Sequence, residues 1–214
     1  MIPSIEDWAA FEARLRERLD PLDAPRVGPG RERWRGDYDL NPEARPVDAA
    51  PLKPAAVLAP IVRRAEGWTM LFTERTHDMP SHPGQVSFPG GRVQAEDTGP
   101  VDTALREAEE ELGVPRAHFT PFGGWDSYET GSGYAITPVL AMVEPGFILR
   151  PDPREVAEVF EAPLAFLMNP ANHDLRHGEW QGQRRSYYAM PYNGKFIWGA
   201  TAGMIRALYE RLYG

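Results

Sequence analysis

The chain has 214 residues, 42% of them hydrophobic and 25% charged, with a net charge of −8 and a pI near 5.2. That acidity argues against binding to nucleic-acid backbone, which needs a basic surface. The longest apolar run, at 55–62, is too short to span a bilayer, and the absence of cysteine excludes disulfides and thiolate catalysis.

The opening stretch, MIPSIEDWAAFEARLRERLD, is amphipathic and charged and lacks the apolar core of a secretory signal, so the expected location is the cytoplasm. Residues 4–19 read as a helix with Ser4 as N-cap and Ile5, Trp8, Phe11, Leu15 and Leu19 along one face. An amphipathic helix of this length is marginal alone in water and must bury that face, on its own domain or on a partner chain. Closed two-fold pairs are the commonest oligomers, so a homodimer is the expectation. Residues 20–54 are rich in proline, glycine and arginine and read as an arm. The chain thus divides into a helix and arm over 1–50 and a domain over 51–214.

The domain opens with AAVLAPIVRR and GWTMLFTER, two strands around a turn at Ala65-Glu66-Gly67. QVSFPGG is a short strand entering a glycine turn, and residues 99–112 form a helix stopped by Gly113. PFGGWDSYET, YAITPVLAMVE and REVAEVFEAP read as strands and PLAFLMNP as a short helix. GEWQGQ with RRSYYAMPYNGKFI reads as a hairpin and its return, and IWGATAGMIRALYERLYG closes the chain as a helix. Hairpins mixed with crossovers imply an α+β fold, an α/β/α sandwich of a mixed sheet flanked by helices.

The helix over 99–112 carries four glutamates within five positions. At ~100° per residue, Val101, Leu105, Ala108 and Leu112 fall on a core-facing side, and Glu107, Glu110 and Glu111 fall together on the opposite, solvent-facing side. Glu109 points elsewhere, into water. Arg106 flanks the cluster and is placed to pair with Asp97 or Glu110. A glutamate-rich helix is most often just a solvated face, but three carboxylates this close either hold their protons or bind a cation. All-oxygen ligands suit a hard divalent ion such as Mg²⁺ better than zinc. Gly90 and Gly91, just upstream, permit close approach of backbone to a ligand.

These residues carry a resemblance. GGRVQAEDTGPVDTALREAEEELGV resembles the Nudix box, with Arg106-Glu107, Glu110-Glu111 and Gly113-Val114 in register. Asp97 stands where a glutamate is usual, and eight residues rather than seven separate it from Arg106. Both departures resemble the coenzyme A pyrophosphatase branch of that family. So does LFTERTHDMPSHPGQVSFPGG, through Leu71, Thr73, Arg75, Gly84, Gln85 and Phe88 to Gly91, although Pro80 stands where a basic residue is common.

The resemblance implies hydrolysis of a nucleoside diphosphate linked to pantetheine, giving 3′-phosphoadenosine 5′-phosphate and 4′-phosphopantetheine. It implies Mg²⁺ or Mn²⁺ held by Glu107, Glu110 and Glu111, with Arg106 orienting the glutamates. An acidic protein would then bind an acidic substrate through metal. Family members differ in the general base; Glu155 and Glu158 are the candidates, with Glu158 preferred. Arg75 is placed to meet a substrate phosphate, with His82 as a second donor. Arg63, Arg64 and Arg92 are weaker candidates for the 3′-phosphate, and Tyr128, Tyr134 and Trp198 either stack on adenine or belong to the core. Other readings are a Nudix enzyme for NADH, ADP-ribose or a modified nucleotide, and a binding module without catalysis. The intact glutamate set favours an enzyme.

Overall fold

The computed structural model describes residues 8–22, 34–46, 50–78, 82–144, 146–180 and 182–214. Helix α1 (Trp8–Arg18) and strand β1 (Trp34–Gly36) precede the long strands β2 (Lys53–Arg64) and β3 (Gly67–Arg75). Short strands β4 (Val86–Ser87) and β5 (Gly90–Arg92) lead into helix α2 (Pro100–Leu112). Strands β6 (Phe119–Gly124), β7 (Ser127–Glu129), β8 (Tyr134–Val143) and β9 (Val156–Pro163) follow, then the single-turn helix α3 (Leu164–Leu167). The chain ends with β10 (Asp174–Trp180), β11 (Gln183–Tyr192), β12 (Lys195–Trp198) and helix α4 (Gly199–Tyr213).

Strand β2 explains the architecture. It pairs parallel with β8 and antiparallel with β3 and β5, so it lies inside a mixed nine-stranded sheet. A central strand covered on both faces needs apolar residues at successive positions, as AAVLAPIV supplies. Val57, Ala59 and Ile61 enter one core with Phe11, Leu15, Ile205 and Leu208 from α1 and α4. Ala56, Leu58 and Val62 enter a second core with Ala104, Ala108 and Leu112 of α2. The result is the expected α/β/α sandwich. A separate three-stranded sheet, β10-β11-β12, closes through a two-residue Asn193-Gly194 turn and packs on α4.

The N-terminal helix takes one of the two routes open to it and packs on its own domain. Ser4 and Ile5 lie outside the described residues. From Trp8 onward the apolar face is buried within the same chain: Phe11, Leu15 and Leu19 sit in the α4 core, and Trp8 stacks on Trp68 with ring centroids 3.6 Å apart. Arg14 donates to the Leu212 carbonyl at 3.0 Å, and Arg211 donates to Asp20 and to the Arg18 carbonyl. The exposed face that motivated a homodimer is therefore already covered. The arm also contributes β1, which pairs parallel with β7 at the sheet edge; three residues without alternation leave no strand signal in the sequence.

Two expected strands are split. QVSFPGG becomes β4 and β5, separated by Phe88, which is buried, and by Pro89, whose carbonyl accepts the Leu58 N–H at 2.9 Å. PFGGWDSYET becomes β6 and β7 because Trp125 turns inward and donates its indole N–H to the Met204 carbonyl at 3.0 Å, while Asp126 pairs with Arg211.

Candidate active site

Helix α2 delivers the carboxylates. Proline at its start fixes φ for the first turn, and Gly113 ends it in the left-handed conformation (φ 63°), donating to the Glu109 carbonyl. Ala104, Ala108 and Leu112 are buried, with Val101 and Leu105 packed at the margin, so the expected apolar stripe is present.

The opposite side departs from expectation at Glu111. It does not face solvent: it is 4% exposed. The Gly90-Gly91 backbone lies on that side of the helix and covers it. The Gly90 backbone amide lies near enough to Glu111 to oppose the rise of its pKa, and a Cβ on Gly91 would fall 2.5 Å from the Glu107 carboxyl carbon. Only a residue without a side chain allows that approach. Burial pushes the Glu111 carboxyl up to about 8, against the pull of Arg75 and with the charges of Glu107 and Glu155 adding to the rise. Burial likewise raises Glu107, opposed by Arg106 and reinforced by Glu110 and Glu155. Glu110 remains outside, 58% exposed, and Glu109 leaves the cluster to bind Arg116.

Arg106 is the hub. It donates to Asp97 through Nε (2.8 Å) and Nη2 (3.0 Å), to Glu107 at 2.7 Å, to Glu110 at 3.2 Å and to the Arg92 carbonyl at 3.1 Å. Asp97 also accepts from Gln94 N–H and Thr103 Oγ1, both at 2.8 Å. The Arg106 guanidinium beside it holds its carboxyl well below the usual carboxylate range. A shorter aspartate at this position is thus fully hydrogen-bonded, and the fork of Arg106 fixes Glu107 relative to β5.

Among the described residues three buried side-chain polar atoms have no hydrogen-bond partner: Glu111 Oε2 and Arg75 Nε beside this helix, and His173 Nδ1 elsewhere in the fold. Buried polar groups are ordinarily paired, so an orphaned carboxylate oxygen next to a second carboxylate and an orphaned guanidinium nitrogen define places for a cation and for an anionic group. That donor set, all oxygen, fits a hard divalent ion, with Glu107 and Glu111 as inner residues and Glu110 able to swing in from solvent. Among the described residues no three carboxylate or imidazole groups stand close enough together to hold a metal ion.

Other expected residues distribute as follows. Glu158 is engaged elsewhere: opposite Glu74 across β3 and β9, it accepts from Lys195 at 2.6 Å, and Lys195 also donates to Glu74 at 2.7 Å. Its neighbour Glu155 is the carboxylate whose charge reaches Glu107 and Glu111. The reason is a register shift between Glu74 and Arg75, where β9 begins and the Glu155 carbonyl accepts the Thr76 N–H. His82 is an exposed turn residue with φ 55°, and no hydrogen bond or ion pair among the described residues joins its ring to the carboxylates. Arg64 is bound to Glu161, and Arg63 lies over Trp68. Tyr128 is core, donating to Asp37 at 2.9 Å. Lys195, 37 residues from Glu158, carried no local signal.

The two glycines separate function from stability. Gly91→Ala pushes on the far end of one side chain, Glu107, and is expected to lower kcat/KM by roughly 10²-fold with little change in thermal midpoint. Gly90→Ala meets backbone, the Ala56 carbonyl oxygen at 2.5 Å and Val57 Cα at 2.6 Å, and should cost about 1–3 kcal/mol of stability. Thermal melts and steady-state kinetics on both variants check the contrast.

A mixed sheet between helices, a glycine turn packed on a helix and a carboxylate cluster keyed by one arginine match what the Nudix resemblance of the sequence implies. The NUDIX domain model matches residues 52–187, and the chain belongs to the Nudix family. It is 36% identical over 158 residues to "Uncharacterized Nudix hydrolase NudL" of Photorhabdus laumondii, covering 74% of this chain and 84% of that protein. It is 38% identical over 154 residues to the protein of the same name from Escherichia coli strain K12, covering 72% and 80%. Similar solved structures include a MutT/nudix family protein from Enterococcus faecalis (TM-score 0.48, 16% identity, 94% of this chain and 73% of that one). Another is the NUDIX domain of Shewanella oneidensis NrtR complexed with ADP ribose (TM-score 0.44, 19% identity, 60% and 82%).

Proposed function

We propose that this Nudix hydrolase cleaves the pyrophosphate bond of coenzyme A or an acylated derivative, releasing 3′-phosphoadenosine 5′-phosphate and 4′-phosphopantetheine or its acyl form. The observation that supports this reading is that the Arg75 charge acts on the buried Glu111 carboxyl without an ion pair joining the two. Arg75 belongs to the upstream stretch that resembles the coenzyme A pyrophosphatase branch, Glu111 to the box, and each has an unpartnered buried atom. That electrostatic link supports reading the two sequence signatures as parts of one site.

In this reading Glu107, Glu110 and Glu111 hold Mg²⁺ or Mn²⁺. A bound divalent cation would supply positive charge to offset that on the pyrophosphate and would make water a better nucleophile. Arg106 keeps Glu107 in place through the Asp97 anchor. Arg75 presents its guanidinium to the pyrophosphate and orients it. Glu155, rather than Glu158, accepts the proton of the attacking water. Water adds to one phosphorus, the bridging P–O bond breaks, and the departing phosphate carries the bond's electron pair. Because Arg75 sits at the shared pyrophosphate, Arg75→Ala should weaken hydrolysis of coenzyme A and of a smaller dinucleotide alike, by roughly 10–100-fold.

A substrate panel tests the assignment. Coenzyme A, its thioesters, NADH and ADP-ribose are assayed with Mg²⁺ and with Mn²⁺. The proposal expects the highest kcat/KM for coenzyme A or a thioester; a clear preference for NADH or ADP-ribose would replace it with another Nudix pyrophosphatase activity.

A further inference from the structure

One residue beyond the glycine turn, the chain places positive charge in an unusual setting. Arg92 directs Nε (2.8 Å) and Nη2 to the Tyr134 hydroxyl, with its guanidinium carbon 5.3 Å from that ring's centroid. Lys53 Nζ lies 5.8 Å from the same centroid. The pairing register explains the convergence. Lys53 is beside Tyr134, Arg92 is beside Ala55, and Lys53 and Ala55 are two residues apart, so all these positions share one face of the sheet. Arg92 and Lys53 are exposed, and Tyr134 is half-buried.

The chain carries 31 acidic and 23 basic side chains, and its cations mostly pair: Arg64, Arg106, Arg116, Lys195 and Arg211 all meet carboxylates. Among the described residues no carboxylate lies within ion-pair distance of Lys53 or Arg92. Two like charges gathered over one ring repel each other, and a hydroxyl is a weak acceptor for a guanidinium fork whose natural complement is a phosphate or carboxylate. The Arg92 backbone meets the catalytic cluster, its carbonyl accepting from Arg106, which binds Glu107, while its side chain lies across β5 from Gly91, on the sheet face opposite α2.

We propose that Lys53, Arg92 and Tyr134 form a subsite for a phosphomonoester on the ribose of the substrate's nucleotide half, which rests on the reading of the substrate as a 3′-phosphorylated coenzyme A. The two cations and the phenol hydroxyl together offer donors to a dianionic group. The subsite selects substrates that carry this extra phosphate and disfavours nucleotides that lack it.

Calorimetric titration with adenosine 3′,5′-bisphosphate and with AMP, both in Mg²⁺, tests the subsite independently of turnover. The wild-type protein is expected to bind the bisphosphate at least roughly tenfold more tightly. Arg92→Gln and Lys53→Gln should each erase most of that preference while leaving AMP affinity intact, which also shows that the variants are folded. Arg64→Gln, on a cation already held by Glu161, should keep the preference. Equal wild-type affinity for the two ligands, a preference that survives both substitutions, or a parallel loss of AMP binding would overturn the subsite. The two readings fail separately. A preference that collapses in the variants, in a protein that does not hydrolyse coenzyme A, supports the subsite and removes the pantetheine substrate. Coenzyme A hydrolysis with equal affinity for bisphosphate and AMP does the reverse.

Discussion

Glu111→Gln is expected to lower kcat by about 10²-fold or more, the several kcal/mol that a bound cation contributes to charge stabilisation, and to raise the thermal midpoint of the metal-free protein. The two effects have one cause. Glu111 is buried with one oxygen unpartnered. On folding without metal, its carboxyl must either enter the interior charged or hold a proton that the unfolded chain releases. Glutamine does neither, so a gain of roughly 3–8 °C follows from about 2 kcal/mol at this chain length. Adding Mg²⁺ should then raise the wild-type midpoint, because a ligand of the native state stabilises it, and leave the variant nearly unmoved. Glu110→Gln provides the contrast. Its side chain is exposed, so activity should fall while the metal-free midpoint stays put. Melting curves with chelator and with Mg²⁺, paired with kinetics, check all of this. A Glu111→Gln protein that turns over normally would remove Glu111 from the site.

Leu15→Ala should be the most damaging single change in the N-terminal segment. Leu15 is fully buried between α1 and α4, and truncating such a side chain costs about 2–5 kcal/mol. The expected loss is roughly 5–15 °C in thermal midpoint. Removal of residues 1–50 should go further, since it uncovers Leu208 and Leu212 and unstacks Trp68 from Trp8. If the truncated chain melts where the full chain does, the intramolecular packing of α1 is wrong. Light scattering of the full-length protein then asks whether the helix serves an interface instead.

The two cases show where sequence was informative. Helix α2 was legible because its apolar positions repeat at helical spacing and glycine marks its end; β2 and β3 were legible from dense β-branched and aromatic residues around a turn. The carboxylate cluster was legible as chemistry but not as environment. Periodicity gives the direction in which Glu111 leaves its helix, not what lies there, and the covering backbone of Gly90 and Gly91 arrives through β5. Arg106 was assigned partners from spacing alone, and the structure adds Glu107 and the Arg92 carbonyl to them. Glu158 was preferred over Glu155 on local pattern. The bulge at Glu74-Arg75 and the distant Lys195 set the surroundings of both residues, and neither can be seen in a window of ten residues. Strand β1 was missed because its pairing with β7 is wholly non-local.

Direct measurement of Mn²⁺ binding by electron paramagnetic resonance tests the central claim, that the α2 carboxylates are a cation site. The account predicts stoichiometric loss of the free Mn²⁺ signal on adding the wild-type protein, competition by Mg²⁺, and clearly weakened binding in Glu107→Gln, Glu110→Gln and Glu111→Gln. Unchanged Mn²⁺ affinity across all three variants would contradict it.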